Sequence, residues 1–425
     1  MRVLVVGSGG REHAIVWSFS RSPNVERIFC ARGNAGIAEL AECVDIGPED
    51  VSALADFAEK QAIDLTFVGP ENSLAAGITD EFESRGLKIV GVSKAAARLE
   101  ASKVFAKDFM ARHGVPTAEY ASAGSAEEAR SILESGRFGD EHAPVVVKAD
   151  GLAAGKGVIV ARDRKEALKA VASLASGEIV STDAASTIVL EECLFGREVS
   201  VILFTDGENF ALMPPARDHK RIGEGDTGPN TGGMGVVTDT SLIDEEQKKE
   251  IVEKIVRPTL EGARSEGFPL KGILFLGLMM TDSGPSVLEY NVRFGDPEAQ
   301  AILVNLETDL SEISEVIVGG TLGELIISWK EGSSACVILA SENYPSKPRT
   351  GDNIEGLEAA SKHENVEVFH AGTSFGEDGG SVTSGGRVLA VTAIASNLSN
   401  SLHRAYKAVN EISWPGMQYR RDIGK

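Results

Sequence analysis

Through its first hundred residues the chain repeats one pattern: a short apolar, largely β-branched run (RVLVV, RIFC, DLTFVG, LKIVG), with amphipathic stretches such as VSALADFAEKQ and DEFESRG between the runs. Strands alternating with helices predict an α/β unit, a parallel sheet with helices on both faces, in which ligands gather beyond the carboxyl ends of the strands. Two turns stand at such ends, Gly7-Ser8-Gly9-Gly10-Arg11-Glu12 and Gly69-Pro70-Glu71-Asn72. The first approaches a G-x-G-x-x-G fingerprint but has Glu12 where the third glycine must allow close helix packing, so an NAD site loses its support. A helix starting after GSGG still suits a single phosphate group.

At 425 residues the chain exceeds one compact core, and about 150 residues per domain gives roughly three domains. A net charge of −21 repels polyphosphate backbones and anionic bilayers, so neither nucleic acid nor a membrane is an expected partner. An anionic ligand such as ATP must then be held by a local nest of donors. No stretch approaches the roughly 18 uninterrupted apolar residues of a bilayer span, and MRVLVVGSGG reads as a strand rather than a signal peptide. Cys30, Cys43, Cys193 and Cys336 form no CxxC pair; reduced core thiols in a cytoplasmic protein are expected, and zinc is not.

The stretch VVVKADGLAAGKGVIVA, residues 145–161, sets Lys148, a glycine loop and Lys156 between two strand-like runs. It is not a P-loop: Gly151 and Gly155 are one residue too close, Gly157 follows Lys156, and a strand comes next. A hairpin that folds over phosphates fits, with backbone N–H groups and Lys148 as donors; an ordinary mobile hairpin fits as well. Ser102 to Gly114 reads as one helix ended by glycine, with Lys103 and Lys107 four apart and, by default, solvated. A small lobe is expected from PTAEYAS to about Thr187. TIVLEECLFGREVSVILF reads as two strands around a short connection, and PPARDHKRIGEGDTGPNTGGMG as a long irregular run. DEEQKKEIVEKIVRPTLEGARSEG reads as one long helix, followed by strands KGILFLGLMM and SVLEYNVRF. From about Ser333 a third domain is expected.

Alternation on SVLEYNVRF puts Glu289, Asn291 and Arg293 on one face. Two hard oxygens, from Glu289 and Asn291, suit Mg²⁺ held jointly with nucleotide phosphates, and the Arg293 fork suits a carboxylate or phosphate. The competing reading is an internal Glu289–Arg293 salt bridge. Asp218, His219, Lys220 and Arg221 precede a loop rich in glycines, whose amides can bind anions. His219 has no adjacent nucleophile or metal set to make it a base.

KADGLAAGKGVIVA, DHKR followed by GDTGPNTGGMG, and LEYNVRFGDPE, with GSGGREHA before them and FHAGT and GGRVLAVTA after, resemble the phosphoribosylamine–glycine ligases (glycinamide ribonucleotide synthetases) of purine biosynthesis, over nearly the whole chain. The resemblance implies a Rossmann-like N-terminal domain (1–101), an α+β ATP-grasp core (102–332) with a small mobile lobe (about 120–190), and a small α/β C-terminal domain (333–425). It implies a cytoplasmic enzyme, monomeric or weakly dimeric, joining glycine to 5-phosphoribosylamine with ATP and Mg²⁺ or Mn²⁺. Lys107 and Lys148 would meet the ATP phosphates under the loop containing Gly155, Lys156 and Gly157; Glu191, Glu192, Cys193 and Leu194 would hold adenine, and Glu198 the ribose. Glu289 and Asn291 would hold the metal. Gly9, Gly10, Glu71, Asp218, Lys220, Arg221, Asn230, Gly232, Gly233, Arg293, Gly295 and Asp296 would surround the substrates, with Lys148, Arg293, Asp218 and Lys220 closest to the chemistry. Arg217 replaces the family's usual glutamine, PENSL a usual PEAPL, and ENYP a usual GGYP. The strand KGILFLGLMM lacks the acidic metal ligand of many ATP-grasp enzymes, which leaves the metal to Glu289 and ATP.

Overall fold

Both faces of the first strand are apolar because both are covered. In β1 (Arg2–Gly7), Val3 and Val5 enter one core and Leu4 and Val6 another, all fully buried. With α1 (Gly10–Ser20), β2 (Arg27–Arg32), β3 (Glu42–Val44), α2 (Val51–Gln61), β4 (Leu65–Val68), α3 (Glu71–Ala76), α4 (Ile78–Ser84) and β5 (Ile89–Val90), it builds a parallel sheet of order β3-β2-β1-β4-β5. Since β1 lies between β2 and β4, the turns after β1 and β4 are neighbours at the point where strand order reverses. The protein is described here by a computed structural model covering residues 1–152, 157–177 and 187–425.

Two helices, α5 (Lys94–Ala101) and α6 (Lys103–His113), lead away from this sheet. Ser102 caps α6 by accepting from Phe105 N at 3.1 Å, and Gly114 ends it at φ +66°, as the sequence predicted. The lobe follows: β6 (Tyr120–Ala123), α7 (Ala126–Glu134), β7 (Val145–Ala149), β8 (Val158–Ala161), α8 (Arg164–Ala175) and β9 (Ile188–Glu192), an antiparallel sheet of order β6-β9-β7-β8. Its own core includes Leu133, Val145, Val147, Leu174 and Leu190. Lys148 pairs with Val158 at the end of the β7–β8 hairpin, where the glycine loop begins. Gly155 and Lys156 lie outside the described residues.

The remaining chain runs β10 (Arg197–Asp206), β11 (Phe210–Leu212), β12 (Ala216–Asp218), β13 (Arg221–Gly223), β14 (Thr227–Asn230), β15 (Gly235–Thr238), α9 (Glu245–Ile251), α10 (Arg257–Ser265), β16 (Lys271–Thr281), β17 (Gly284–Asn291), α11 (Glu298–Leu303), α12 (Leu310–Gly319), β18 (Ser333–Ala340), α13 (Leu357–Ser361), β19 (Val366–His370), β20 (Thr373–Phe375), β21 (Ser381–Thr383), β22 (Arg387–Ala395) and α14 (Leu398–Val409). One large sheet has the order β17-β16-β10-β12-β15-β18-β22-β19, with β11 beside β10.

Three expectations need correction. The run 214–235 is not irregular: it supplies β12 to the large sheet, folds β13 onto β14 and leads into β15, its strands being too short to show alternation. After Ser333, β18, buried at every position, hydrogen-bonds to β15 on one side and β22 on the other and so extends the large sheet, while β20 and β21 pair with each other. The long helix is interrupted between α9 and α10 by a π turn, Val252–Val256, just before Pro258, which has no N–H for a regular helix bond. The strand expected through Phe294 stops at Asn291, where Val292 N turns to donate to the Glu100 carboxylate at 2.9 Å.

One core joins the two main sheets. Phe67 of β4 stacks on Phe294 at a centroid distance of 6.1 Å, and Phe294 meets Phe204 of β10 edge-on at 6.0 Å; the same cluster reaches Cys336, Phe369 and Ala390. Truncating Phe67 to alanine should therefore lower stability by about 3–5 kcal/mol. In urea unfolding followed by both fluorescence and circular dichroism, the two signals should shift together; an N-terminal unit that melts separately while the rest is unchanged would contradict a shared core.

Candidate active site

Three neighbouring strands make the floor of a cleft. Ser200 on β10 pairs with Gly277 on β16, and Gly277 pairs with Glu289 on β17, so the three share one face. Gly277 is the residue whose smallness matters: a Cβ there would stand 3.2 Å from Glu289 Cγ. The register then slips, with Leu278 opposite Val287, which leaves Leu288 as the extra residue of a bulge. Bulges re-aim backbone groups. Leu288 O is turned to accept from Lys148 Nζ at 3.1 Å, linking the large sheet to the lobe.

Two adjoining cavities open over this floor, sharing Glu71, Leu288, Glu289, Asn291 and Arg293. The smaller, about 100 Å³, lies against the lobe and is lined by Lys103, Lys107, Lys148, Gly157 and Glu191. Glu191 is buried between two amines, with Lys107 Nζ 2.8 Å from Oε2 and Lys148 Nζ 2.8 Å from Oε1. Burial would raise the Glu191 carboxyl, but the two lysines outweigh it and hold its pKa below the usual range. Lys107 is not solvated: it is 2 % exposed, donates to Thr117 Oγ1 at 2.7 Å, and burial lowers its pKa to about 8 against the pull of Glu191.

The larger cavity, about 280 Å³, carries both signs of charge. Arg293 lies 3.2 Å from Glu71 through Nε and 2.7 Å from Glu100 through Nη2. Its carboxylate partners, Glu71 and Glu100, thus precede residue 101, and the competing Glu289–Arg293 bridge is not among its ion pairs. Burial favours a neutral Glu71, yet Arg293 and Arg11 hold its pKa at about 2. Lys220 reaches Glu198 at 2.6 Å and Asp218 at 3.5 Å. Burial pushes the Asp218 and Glu298 carboxyls up. Asp296 accepts from Gln300 at 2.8 Å and faces Arg387 Nη2 at 3.3 Å, while Arg387 Nη1 donates to the carbonyls of Asp296 and Gly232.

Of the residues singled out in the sequence, Lys107, Lys148, Gly157, Glu191, Glu71, Glu198, Asp218, Lys220, Gly232, Glu289, Asn291, Arg293, Gly295 and Asp296 line the two cavities. Gly9 and Gly10 stand just behind, where added Cβ atoms would approach Asp296 and Gln300. Gly233 packs on Pro297, Arg221 donates within the β13–β14 hairpin to Gly228 O, and Asn230 pairs opposite Arg221. Glu192 accepts from Glu119 N, and Cys193 and Leu194 follow in the connection to β10. His219 turns away from the cleft: its Nε2 accepts from Gly424 N, and burial lowers its pKa to about 4. Sequence reasoning missed Arg11, Glu100, Glu298 and Arg387, and read Lys103 as solvated. Glu298 stands in the quoted GDPE run and was legible there; Arg387 lies far along the chain in an unremarkable GGR.

Glu289 and Asn291 offer adjacent hard oxygens at the junction of the cavities, and glycine opposite Glu289 leaves no second carboxylate on β16. No cluster of three or more His, Cys, Asp or Glu able to cage a metal occurs among the described residues. This donor set fits a divalent ion shared with a phosphate ligand rather than one enclosed by protein.

The Glu71 carboxyl has an acid-stability signature. Its folded pKa, about 2, lies below its ordinary 4.5, so its stabilisation is complete above pH 4.5 and is lost as pH falls toward 2. The stability difference between the natural chain and Glu71→Gln, followed in urea from about pH 6 to about pH 3, should be constant at the upper end and shrink below about 4.5. A difference independent of pH would mean that Glu71 is not held ionised by the arginines.

Sequence and structure comparisons agree on the origin of this arrangement. Residues 1–100, 101–299 and 334–425 match the N domain, the ATP-grasp (A) domain and the C domain of phosphoribosylglycinamide synthetase. A phosphoribosylamine–glycine ligase of Caldanaerobacter subterraneus is 47% identical over 100% of this chain and 99% of its own, and one of Escherichia coli O157:H7 is 45% identical over 100% and 98%. The crystal structure of the Thermotoga maritima phosphoribosylamine–glycine ligase superposes with a TM-score of 0.84 at 33% identity, covering 99% of this chain and 100% of that one. A biotin carboxylase domain from Hydrogenobacter thermophilus, at 16% identity and a TM-score of 0.71, shares the fold. The chain is a member of the phosphoribosylamine–glycine ligase family, built on the ATP-grasp fold.

Proposed function

We propose that this chain joins glycine to 5-phosphoribosylamine, converting ATP to ADP and phosphate, through glycyl phosphate. The observation that carries this reading is the pair of cavities meeting at Glu289, Asn291 and Arg293. One is lined by lysines suited to phosphates, the other by carboxylates and guanidinium groups suited to an amine and a carboxylate. We divide the chain for this purpose into units 1–101, 102–332 with its lobe at about 120–190, and 333–425.

Glycine's carboxylate is a poor acceptor for an amine, because oxide is not a leaving group. In the proposed first step, a carboxylate oxygen attacks the γ-phosphorus, the bond to the β-phosphate oxygen breaks, and ADP leaves. Lys148 and Lys107 neutralise the phosphates, which spread negative charge in the transition state. Glu289 and Asn291 would hold Mg²⁺ or Mn²⁺, which lends further charge neutralisation when bound. Arg293 orients the glycine carboxylate, with Glu71 and Glu100 fixing the guanidinium. In the second step the amine of phosphoribosylamine attacks the acyl carbon, phosphate departs, and a carboxylate of the cleft takes the amine's proton. Asp218 and Lys220 stand beside that amine. Screening of the acyl phosphate from water by the loop after Lys148, part of which lies outside the described residues, rests on the family resemblance. Adenine against the backbone of 191–194, ribose on Glu198, and substrate contacts from Gly9, Gly10, Arg221, Asn230 and Gly233 rest on the family resemblance alone. A cytoplasmic, monomeric or weakly dimeric protein acting only on small molecules completes the reading.

Phosphate release decides the matter: it should require ATP, glycine and phosphoribosylamine together, and release without glycine would reject the assignment. With oxygen-labelled glycine, one label should appear in inorganic phosphate. Lys148→Ala or Glu289→Ala should reduce turnover by about a hundredfold or more with circular dichroism unchanged; a mild loss would remove that residue from the mechanism.

Lys107 adds a pH test. With a pKa lowered to about 8, it loses its charge as pH rises through that value. The kcat/KM for ATP should fall on the alkaline side with an apparent pKa near 8, since that ratio reports the free enzyme. Lys107→Arg, charged throughout, should abolish that alkaline limb; an unchanged limb would assign it to another group.

A further inference from the structure

Six carboxylates line the larger cavity, and five of them already have a partner or a place in the site. Arg293 and Arg11 hold Glu71, Lys220 holds Glu198 and Asp218, Gln300 and Arg387 hold Asp296, and Glu289 stands with Asn291 at the junction with the lysine-lined cavity. Glu298 is the sixth. It is 5% exposed, yet its carboxyl makes no ion pair and no hydrogen bond to another residue among the described residues. Only its own amide stands beside it, and the oxygen that this contact leaves over is not closed off by other atoms. Gly295 makes room for the group, because a Cβ there would collide with Glu298 Oε2. Glu298 also opens α11, which packs on α1 and on β12, β15, β18 and β22, so the carboxyl sits on a rigid, buried support at the wall of the cavity.

We infer that Glu298 is the catalytic base of the second step, the carboxylate that takes the proton of the attacking phosphoribosylamine nitrogen. This role rests on the reaction proposed above. When the nitrogen lone pair adds to the acyl carbon, the nitrogen becomes positively charged, and unless it loses a proton the adduct falls back to its reactants. With one N–H proton passed to the Glu298 carboxylate, the new C–N bond is kept, the acyl C–O bond breaks, and phosphate leaves with the electron pair; water then takes the proton from Glu298. Such a base works best when its proton affinity suits the working pH. Glu71, with its pKa at about 2, is too weak. Burial first, and then the neighbouring Asp218 carboxylate, raise Glu298 above the ordinary carboxyl range against the pull of Lys220 and Arg293. Cys336 on β18 and Arg387 on β22 also face it, Arg11 of α1 lines the same cavity, and β15 brings no titratable group.

Single-turnover formation of the amide reads the step directly, with ATP limiting and glycine and phosphoribosylamine in excess, from about pH 5.5 to about pH 8.5. A base must be ionised to act, so the rate of the natural chain should climb with pH through an apparent pKa above the ordinary carboxyl range and then level off. Glu298→Gln keeps the shape and removes the base: it should lower the rate about a hundredfold or more and flatten that acid limb, with KM for ATP and glycine changed by less than about threefold. Glu298→Asp keeps a carboxylate one methylene short, and should recover about a tenth of the natural rate together with the limb; it serves as the deciding variant should glutamine disturb the circular dichroism. A Glu298→Gln rate within about tenfold of the natural one, a limb that survives that substitution, or a Glu298→Asp chain without the limb would each overturn the assignment. The two readings fail differently. A natural chain that forms no amide from glycine sinks the proposed reaction and this role with it, whereas normal amide formation that ignores position 298 sinks the role alone.

Discussion

The arginine at position 293 is the joint on which the architecture turns. Its guanidinium bridges Glu71, at the start of α3, and Glu100, at the end of α5, from the end of the outermost strand of the large sheet. Burying such charges is expensive, and a buried ion network is a poor source of net stability. What it supplies is orientation. An arginine fork has fixed geometry, so satisfying two carboxylates and the Phe294 carbonyl leaves little freedom in how the N-terminal sheet sits over β17. The neighbouring aromatic chain Phe67–Phe294–Phe204 provides the apolar attraction that the ion network lacks.

A second joint, between β17 and the lobe, follows a different logic. Here the contacts are Lys148 on a carbonyl made available by a bulge, the bonds of Pro116 and Thr117 to Val287, and the two-amine clasp on Glu191. The lobe keeps its own core, so its strands need no packing from the large sheet to remain folded. A unit with a private core and a few polar tethers is suited to rigid-body movement. Among the tethers are the amines proposed to meet phosphate, so binding a nucleotide and releasing Glu191 would draw on the same groups.

Much of this was legible in the sequence where one periodicity governs a whole element. The α/β alternation of the first hundred residues, the capped helix at 102–114 and the hairpin carrying Lys148 all appear as read. Glu289 and Asn291 were found because strand alternation survives the bulge, which falls before them. The failures are equally physical. Strands β12 and β15 were passed over because they are short and lie in glycine-rich sequence. That β18 and β22 extend the large sheet was not legible, because alternation does not say which sheet a strand joins. Glu100 and Arg387 were missed because each acquires meaning only from a partner distant in sequence.

Net charge closes the argument. A chain with 63 acidic and 42 basic residues must bind anions against its own field. The cleft pre-pairs Lys107 and Lys148 to Glu191, and Arg293 to Glu71 and Glu100, so these cations are not left alone in a low-dielectric site. An incoming phosphate or carboxylate then replaces one anionic partner with another. Exchange of that kind costs far less than desolvating a free ion, and it makes binding depend on geometry, which is what the two joints control.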